Sequence, residues 1–494
     1  MKLQIPKEVR EVLEELQQKG FSAYIVGGCV RDLFLKREPT DWDVTTNAKP
    51  EQIREIFPKS FSDNKFGTVT VFTRSEKPNL KTIEITPFRA ESGYSDKRHP
   101  DEVKWVEKIE DDLARRDFTI NAIALGLKKT NKRTFKTEII DPFSGVEDLK
   151  AKIIRAVGNP EERFEEDALR LMRGVRFATT LGEGWRIEER TRLAIRKKAA
   201  LLKYISQERI RDELIKIIMS ERAAQGIDLL REVDLLKFIL PELLEGYGVS
   251  QNKHHIFDCY EHALRSLDFA AKKNFSLAVR LAALFHDIAK PRVKKGEGPD
   301  ATFYNHEIVG AKMTQKILWR LKFPVKDIEK ITKLVRYHLF YYNVNEVGES
   351  SVRRLVRNVG LENMEELLQL RQADRIGSGV PKAEPYKLRH LKYMIEKVSR
   401  DPISPKSLKV SGNDVMDILK INPGPKVGQV LTILLNETIK NPEINKSEIL
   451  KEKIKELGKL SEEELKNLAQ KAKEEIETIE TKKDQMTKRK YWVS

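Results

Sequence analysis

Apolar residues recur at three- and four-residue spacing over residues 8–19, which predicts an amphipathic helix leading into the β-type run 23–26. A second helical pattern follows. Runs rich in Val, Ile, Thr and Phe at 68–73 and 82–88 then predict strands, and 135–140 reads as another before the turn Asp141-Pro142-Phe143-Ser144-Gly145. Such alternation describes a small α/β or α+β unit, and the expectation is α+β with a mixed sheet. From about residue 161 the strand signals vanish. Residues 161–179, 188–200, 208–219 and 277–290 all carry helical spacing, so the remainder reads as all-helical. Composition shifts predict boundaries near 150, 225 and 380, with the Pro/Gly-rich stretch 377–385 as a joint. Beyond Asn445 Lys and Glu dominate, which reads either as a solvated, partly frayed helix or as a basic arm for nucleic acid.

Composition narrows the class. At 494 residues the chain should hold about three compact units. Its net charge of +16 favours a polyanionic partner and says nothing of fold. An apolar share of 40% excludes wholesale disorder. No apolar run approaches the roughly 20 residues of a membrane span, and the start lacks the apolar core of a secretory signal. Two cysteines, Cys29 and Cys259, rule out a disulfide scaffold and fit a reducing compartment, by default the cytoplasm.

The candidate chemistry begins at Gly27-Gly28-Cys29-Val30-Arg31-Asp32, a turn between a predicted strand and helix. Two glycines there let backbone N–H groups approach an anion, with Arg31 in reach of the same anion. Asp41-Trp42-Asp43-Val44 reads as a short strand, in which residues two apart share a face, so Asp41 and Asp43 would stand side by side. Like charges that close need a cation between them, and hard Mg²⁺ takes carboxylate oxygens while leaving room for phosphates.

These residues resemble the first motif of class II tRNA nucleotidyltransferases and bacterial poly(A) polymerases. Arg115-Arg116-Asp117-Phe118-Thr119-Ile120-Asn121-Ala122 is similar to the second motif. Asp141-Pro142-Phe143 through Asp148-Leu149 resembles the third, Glu166-Asp167-Ala168-Leu169-Arg170 the fourth, and Ser206-Gln207-Glu208-Arg209-Ile210 the fifth. They occur in family order over roughly the first 220 residues. The resemblance implies that Asp41 and Asp43 hold Mg²⁺. It also implies that Gly28, Arg31, Arg116, Asp117, Asn121, Arg173 and Arg176 contact the incoming nucleotide.

If 161–179 is one helix, Asp167, Arg170, Arg173 and Arg176 form an inclined ridge with one acidic end. A carboxylate accepts from the exocyclic amino group of cytosine or adenine, an arginine donates to ring N or O atoms, and uracil offers Asp167 only another acceptor. The resemblance implies the same: Asp167 and Arg170 match a base-reading pair that selects CTP and ATP without a nucleic-acid template. CCA addition, CC addition, A addition and poly(A) synthesis share these motifs. The polar segment 89–100 reads as an exposed mobile loop; family members restricted to CC addition look shortened here and this chain does not, so the resemblance implies complete CCA addition to tRNA from CTP and ATP, with A addition and poly(A) synthesis as the alternatives.

Six of the eight histidines (His254, His255, His262, His286, His306 and His338) fall in one helical stretch. Imidazole and carboxylate on adjacent residues, with a distant His and Asp, can assemble a divalent metal site. His286-Asp287 resembles the pair that names the HD phosphohydrolase superfamily. His262, His286, Asp287 and Asp374 would match its ligand series, with His306 and His338 as added ligands or phosphate contacts. The resemblance implies 2′,3′-cyclic phosphates at RNA ends as substrate. The architecture expected is therefore a small mixed-sheet nucleotidyltransferase head (1–150), a long helical neck that recognises the base (151–225), a metal-dependent HD body (226–380) and a helical tail binding tRNA (381–494). A dedicated HD phosphohydrolase with a passive RNA-binding head is the rival from another class. The motifs carry no statement about oligomeric state.

Overall fold

Val9, Val12, Leu13 and Leu16 lie on one face of α1 (Lys7–Gln18) and are buried, while the charged residues between them stay outside. The 3.6-residue period alone makes this helix. The structure, a computed structural model, describes residues 3–62, 67–94, 100–129, 135–252, 256–399 and 405–494. Two compact units divide the chain: Met1–Leu339 with Gln369–Pro381, and Phe340–Leu368 with Lys382–Ser494.

The first unit opens with a sheet of strands β1 (Ala23–Val26), β2 (Asp43–Thr46), β3 (Ser60–Phe61), β4 (Val69–Phe72), β5 (Thr82–Pro87), β8 (Ala124–Lys129) and β9 (Phe135–Ile140), in the order β3-β4-β5-β2-β1-β8-β9. Only β2 and β5 run parallel, so the sheet is mixed as expected. The short strands β6 (Arg89–Ser92) and β7 (Glu102–Trp105) pair as a separate antiparallel ribbon. Residues 89–92 are therefore not loop, contrary to the reading of 89–100 as one exposed segment; 95–99 lie outside the described residues. The helices α2 (Gly28–Phe34), α3 (Pro50–Ile56), α4 (Ile109–Ala114) and α5 (Gly145–Ala151) connect these strands.

Beyond the sheet come α6 (Pro160–Glu166), α7 (Leu169–Thr180), α8 (Glu189–Lys198), α9 (Gln207–Ile218) and α10 (Ala223–Glu232). One strand signal does persist here: β11 (Arg186–Ile187) pairs in parallel with β10 (Ile153–Ile154). The predicted helix 161–179 is two helices. It breaks at Asp167, whose extended φ of −132° and ψ of 105° cannot continue a helix. The helices α11 (Leu236–Ile239), α12 (Pro241–Leu244), α13 (Cys259–Lys272), α14 (Leu277–Phe285), α15 (Lys290–Val293), α16 (His306–Arg320) and α17 (Val325–Tyr337) follow. The predicted helix 277–290 likewise ends at Phe285, and His286-Asp287 sit at its C-terminal exit. Arg280, 1% exposed, ties α14 to α9 and α13 by donating to the carbonyls of Ile218, Ser220, Ala271 and Phe275 and to Asn274. A buried guanidinium so placed has acceptors for its N–H groups, which is the condition for burying it.

The second unit holds α18 (Glu349–Val359), and the chain passes through α19 (Met364–Gly377) back to the first unit. Also in the second unit are α20 (Tyr386–Ser399), α21 (Gly412–Leu419), α22 (Pro425–Lys440), α23 (Ser447–Gly458) and α24 (Glu462–Tyr491). Leu465, Ala469, Ala472 and Ile476 of α24 share a core with Val430, Ile433 and Leu434 of α22. The Lys/Glu-rich end is thus a packed helix, not a frayed one: an apolar stripe of four residues at four- and three-residue spacing survives inside its charged composition. Among the described residues no helix is long and apolar enough to cross a membrane.

Candidate active site

At the end of β1 the chain turns at Gly27, φ +81°, into α2. A Cβ at Gly27 would stand 3.1 Å from an Arg116 nitrogen and 3.4 Å from Asp43 Oδ2. The turn therefore needs glycine twice over, for its left-handed backbone and for the close approach. Gly28, Arg31, Asp43 and Arg116 converge here. Asp43 opens β2 opposite Glu84 of β5. Asp41 precedes that strand on exposed backbone rather than lying in it, so the pair is not set by strand alternation as expected. Their carboxylates still feel each other. Burial first, then the charges of Asp41 and Glu84, push the Asp43 carboxyl up to about 6 against the pull of Arg116. Oxygen-only donors with such mutual repulsion fit a hard divalent cation, which would relieve it. Glu84 escaped sequence reading because only parallel pairing brings it to Asp43.

Arg31 NH1 donates to Asn121 Oδ1 (2.9 Å), Asn121 Nδ2 donates to Asp117 Oδ1 (3.1 Å), and Asp117 Oδ2 accepts from Arg173 (2.6 Å). Burial of Asp117 is more than offset by Arg173 and Arg170, which hold its carboxyl down to about 2. Asp117 and Asn121 thus link guanidiniums from α2 and α7 into one network. Arg176 pairs with the buried Glu213 of α9 at 2.7 Å, and burial lowers its guanidinium to about 10. Arg31, Arg173 and Arg176 all lie over the Phe177 ring, at 5.2, 5.2 and 4.2 Å from its centre. Phe177 and Glu213 carry no mark in the sequence that singles them out; the three-arginine convergence on one ring exists only in the fold.

Asp167 and Arg170 are not joined side chain to side chain. Asp167 caps the backbone N–H of Leu169 (3.0 Å) and accepts from Arg209 at 3.1 and 3.4 Å. Arg170 donates to Glu166 (2.7 Å) and to the carbonyls of Arg115 and Arg163. The single inclined ridge fails for the same reason as the helix: the extended residue at 167 takes the carboxylate off the helical path. The third motif is architectural. Asp141 caps α5 through Gly145 and Val146, and Asp148 holds Thr119 and Arg155.

A second constellation lies among α13, α14, α16, α17 and α19 of the same unit. His262, His286, Asp287, His306, His338 and Asp374 are all buried. His262 Nε2 lies 2.9 Å from His286 Nε2 and 3.2 Å from Asp287 Oδ2, and 3.5 Å from Asp374 Oδ1. The approach of α19 to α13 depends on Gly377, where a Cβ would meet Ser266 Oγ at 2.1 Å. Burial opposes a proton on His286, yet Asp287 and Asp374 outweigh it and lift the imidazole to about 10; both carboxyls are held well below their ordinary range. Imidazole with carboxylate suits a transition-metal ion. A cavity of about 830 Å³, lined by Asp287, His306, His338 and Asp374 together with Lys290, Arg371 and Arg375, adjoins the cluster. His254 and His255 lie outside the described residues.

Residues 23–155 match the family described as poly A polymerase head domain, 184–246 the probable RNA- and SrmB-binding site of polymerase A, and 259–377 the HD domain. The chain is 32% identical over 458 residues to a CCA-adding enzyme of Enterococcus faecalis, covering 90% of this chain and 95% of that one. It is 48% identical over 225 residues to a CCA-adding enzyme of Lactobacillus helveticus, 45% of this chain, and that match spans about half (53%) of the relative's length. The crystal structure of the Bacillus stearothermophilus CCA-adding enzyme in complex with CTP is similar with a TM-score of 0.57 at 27% identity, over 92% of this chain and 98% of that one.

Proposed function

The chain belongs to the CCA-adding enzyme family of tRNA nucleotidyltransferases, and from that premise we propose that it adds CCA to the 3′ end of tRNA from CTP and ATP without a template. The observation that carries the reading is the convergence of Asp43 and Arg116 on the glycine turn, within 3.4 Å of where a Gly27 side chain would begin. The proposed parts are a head over 1–150, a base-recognising neck over 151–225, an HD body over 226–380 and a tRNA-binding tail over 381–494.

Asp41 and Asp43 would hold Mg²⁺, which when bound favours the ionised 3′ hydroxyl of tRNA and neutralises the leaving pyrophosphate. The chain's own groups do the rest. The glycine turn admits the triphosphate to backbone N–H groups, and Gly28, Arg31 and Arg116 line its approach. Asp117 and Asn121 hold Arg31 and Arg173 in register, and Arg176 braces the same face. The base is read by Asp167, which accepts its exocyclic amino group once it exchanges Arg209 for it, and by Arg170, which donates to the ring. Uracil presents an acceptor to an acceptor and is turned away. The basic surface binds the tRNA backbone, and the free thiols Cys29 and Cys259 suit the cytoplasm.

The body carries a second activity in this reading. His262, His286, Asp287 and Asp374 would hold a divalent metal ion for a phosphohydrolase, with 2′,3′-cyclic phosphates at RNA ends as the substrate implied by resemblance. The deciding experiment gives the protein a tRNA lacking its 3′ end with CTP, ATP or both, and sequences the product. CC with CTP alone and CCA with both nucleotides is the expected outcome. A product limited to A on a tRNA already ending in CC, or a long A tract, would overturn CCA addition in favour of A addition or poly(A) synthesis.

A further inference from the structure

The strand register of the head fixes which side chains share a face with Asp43. Asp43 of β2 stands opposite Glu84 of β5, Glu84 opposite Thr70 of β4, and Thr70 opposite Phe61 of β3, where the sheet ends. Residues opposite one another on paired strands lie on one side of the sheet, so Phe61 closes a row that begins at Asp43. Phe72 is two residues beyond Thr70 and on the same face, opposite Thr82. The alternate residues Val69, Val71, Ile83 and Ile85 turn the other way and are buried. Phe61 and Phe72, in contrast, are 54% and 50% exposed. They are diagonal neighbours across β3 and β4, within reach of each other for aromatic side chains. Adjoining exposed phenyls on a face otherwise carrying Thr70, Thr82 and Glu84 mark a contact surface.

The direction of the row is set by the chemistry. Gly27, Gly28 and Arg31 lie on the β1 side of Asp43, and Asn121, Asp117 and Arg173 continue that network. A triphosphate seated there sends its pyrophosphate out on the β1 side. Attacking and leaving oxygens lie roughly in line in phosphoryl and nucleotidyl transfer. The 3′ hydroxyl therefore arrives from the opposite side, over β5, β4 and β3. Three strand spacings, about 14 Å, separate Asp43 from Phe61, the length of about four stacked nucleotides. Charge agrees with that occupant. Lys59 and Lys81 are both exposed and flank Phe72 in the strand register: the Lys59 carbonyl accepts from the Phe72 N–H at 3.1 Å, and the Lys81 carbonyl from the Thr73 N–H at 3.0 Å. Glu84 stands at the other end of the row, beside Asp43.

We propose that Phe61 and Phe72 form a stacking surface for the unpaired 3′ end of the tRNA, whose bases lie on the two rings while its terminal hydroxyl reaches Asp43. The proposal rests on the CCA-adding reading and deepens it by placing the strand that is extended. Phenyl rings suit this task because every base has a π-face, so stacking holds an end whose sequence changes with each addition. Hydrogen-bonding side chains would favour one terminal base over another. Lys59 and Lys81 then meet the phosphates between the stacked bases.

The test measures steady-state incorporation by the full chain on a tRNA lacking its 3′ end, varying tRNA and CTP separately. Phe61→Ala and Phe72→Ala should each raise the KM for tRNA about tenfold and leave the KM for CTP within about twofold. Both rings are half exposed, so the variants should melt with the wild type. Phe61→Leu keeps apolar bulk without a π-face and should behave as Phe61→Ala, whereas Phe61→Trp should restore the wild-type KM. Rescue by leucine and not by tryptophan would make the site an apolar packing position and overturn stacking. As a direct probe, p-benzoylphenylalanine in place of Phe61 or Phe72 should crosslink under ultraviolet light to the terminal nucleotides of the tRNA, mapped by sequencing. An unchanged KM for tRNA in both alanine variants, a crosslink confined to the base-paired stem, or a crosslink to a second copy of the chain would overturn the surface while CCA addition stands. A wild-type chain that incorporates nothing would overturn the reading beneath it, and the surface with it.

Discussion

The acidic pair of the head and the histidine cluster of the body solve one electrostatic problem in opposite ways. In the head Asp41 is exposed and Asp43 half-buried, and burial together with the charge of Asp41 outweighs the pull of Arg116, so the Asp43 carboxyl is pushed up to about 6. In the body six side chains are buried together: Asp287 and Asp374 hold His286 charged and are themselves held well below the ordinary carboxylate range, while burial lowers His338. The first arrangement suits an ion that comes and goes with each nucleotide. The second suits a resident ion. Exchange belongs where oxygen donors are open to solvent; retention belongs where mixed nitrogen and oxygen donors are buried and oriented by backbone carbonyls.

The largest expected effect separates the two outright. Asp43→Ala should lower nucleotide incorporation by on the order of a thousandfold or more, as loss of a metal-holding carboxylate does. Binding of tRNA lacking its 3′ end, followed by filter retention, should stay within about twofold. Retained incorporation would break the metal assignment of the head. Metal removal gives the next largest contrast. A brief wash with a weak chelator should silence incorporation until Mg²⁺ is restored, leaving the melting temperature unchanged. Prolonged treatment with a strong chelator should strip the body and destabilise the first unit by about 2.7 kcal/mol if the ion had been present at a hundred times its dissociation constant. Equal response of both sites to the weak chelator would erase the distinction drawn between them.

How much of this was legible in the sequence differs between the two regions for a physical reason. Gly27, Arg31, Asp43, Arg116 and Asp117 sit on or beside local turns and short elements, so short motifs record them. The pairing of β2 with β5 that delivers Glu84, and the convergence of Arg31, Arg173 and Arg176 on Phe177, span long sequence separations and leave no local mark. The α+β head and helical remainder followed from periodicity. The break at Asp167 did not, because periodicity carried across it: apolar residues on both sides of the break keep helical spacing. The body's histidines were conspicuous as a cluster, but only the fold sets which oxygen of Asp287 each ring faces, Oδ2 for His262 and His286 and Oδ1 for His306 and His338.

Asp167 tests a distinction between head and neck, between the residues proposed to hold the triphosphate and those proposed to read the base. Asp167→Ala should leave the glycine turn and Asp43 in place and reduce discrimination against UTP by roughly ten- to a hundredfold, the worth of a paired base contact. The same change removes the cap on Leu169 and releases Arg209, so about 1 kcal/mol of stability should go with it. Competition between CTP and UTP on one tRNA measures the first, a urea melt the second. Lost stability with unchanged selectivity would make Asp167 a cap and nothing more.

The smallest effect is a pH dependence set by one carboxylate of the head. The Asp43 carboxyl lies at about 6, above the ordinary 3.8, so the folded chain binds that proton more tightly than the unfolded chain does. Its stability contribution is therefore unfavourable once the group ionises, and stability falls as pH rises from about 4 through 6. Metal binding has the opposite sign, because the ion takes the ionised carboxylate and is lost as pH falls through the same window. At pH 5.5 roughly a quarter of the free groups are ionised, so the Mg²⁺ concentration for half-maximal incorporation should rise about fourfold from its value at pH 7.5. In the body Asp287 and Asp374 stay ionised throughout that range, so any ion lost from the cluster as pH falls is lost to protons at its imidazole nitrogens and not at its carboxylates. A Mg²⁺ requirement that is the same at both pH values would mean that the Asp43 carboxyl does not hold the ion of the head.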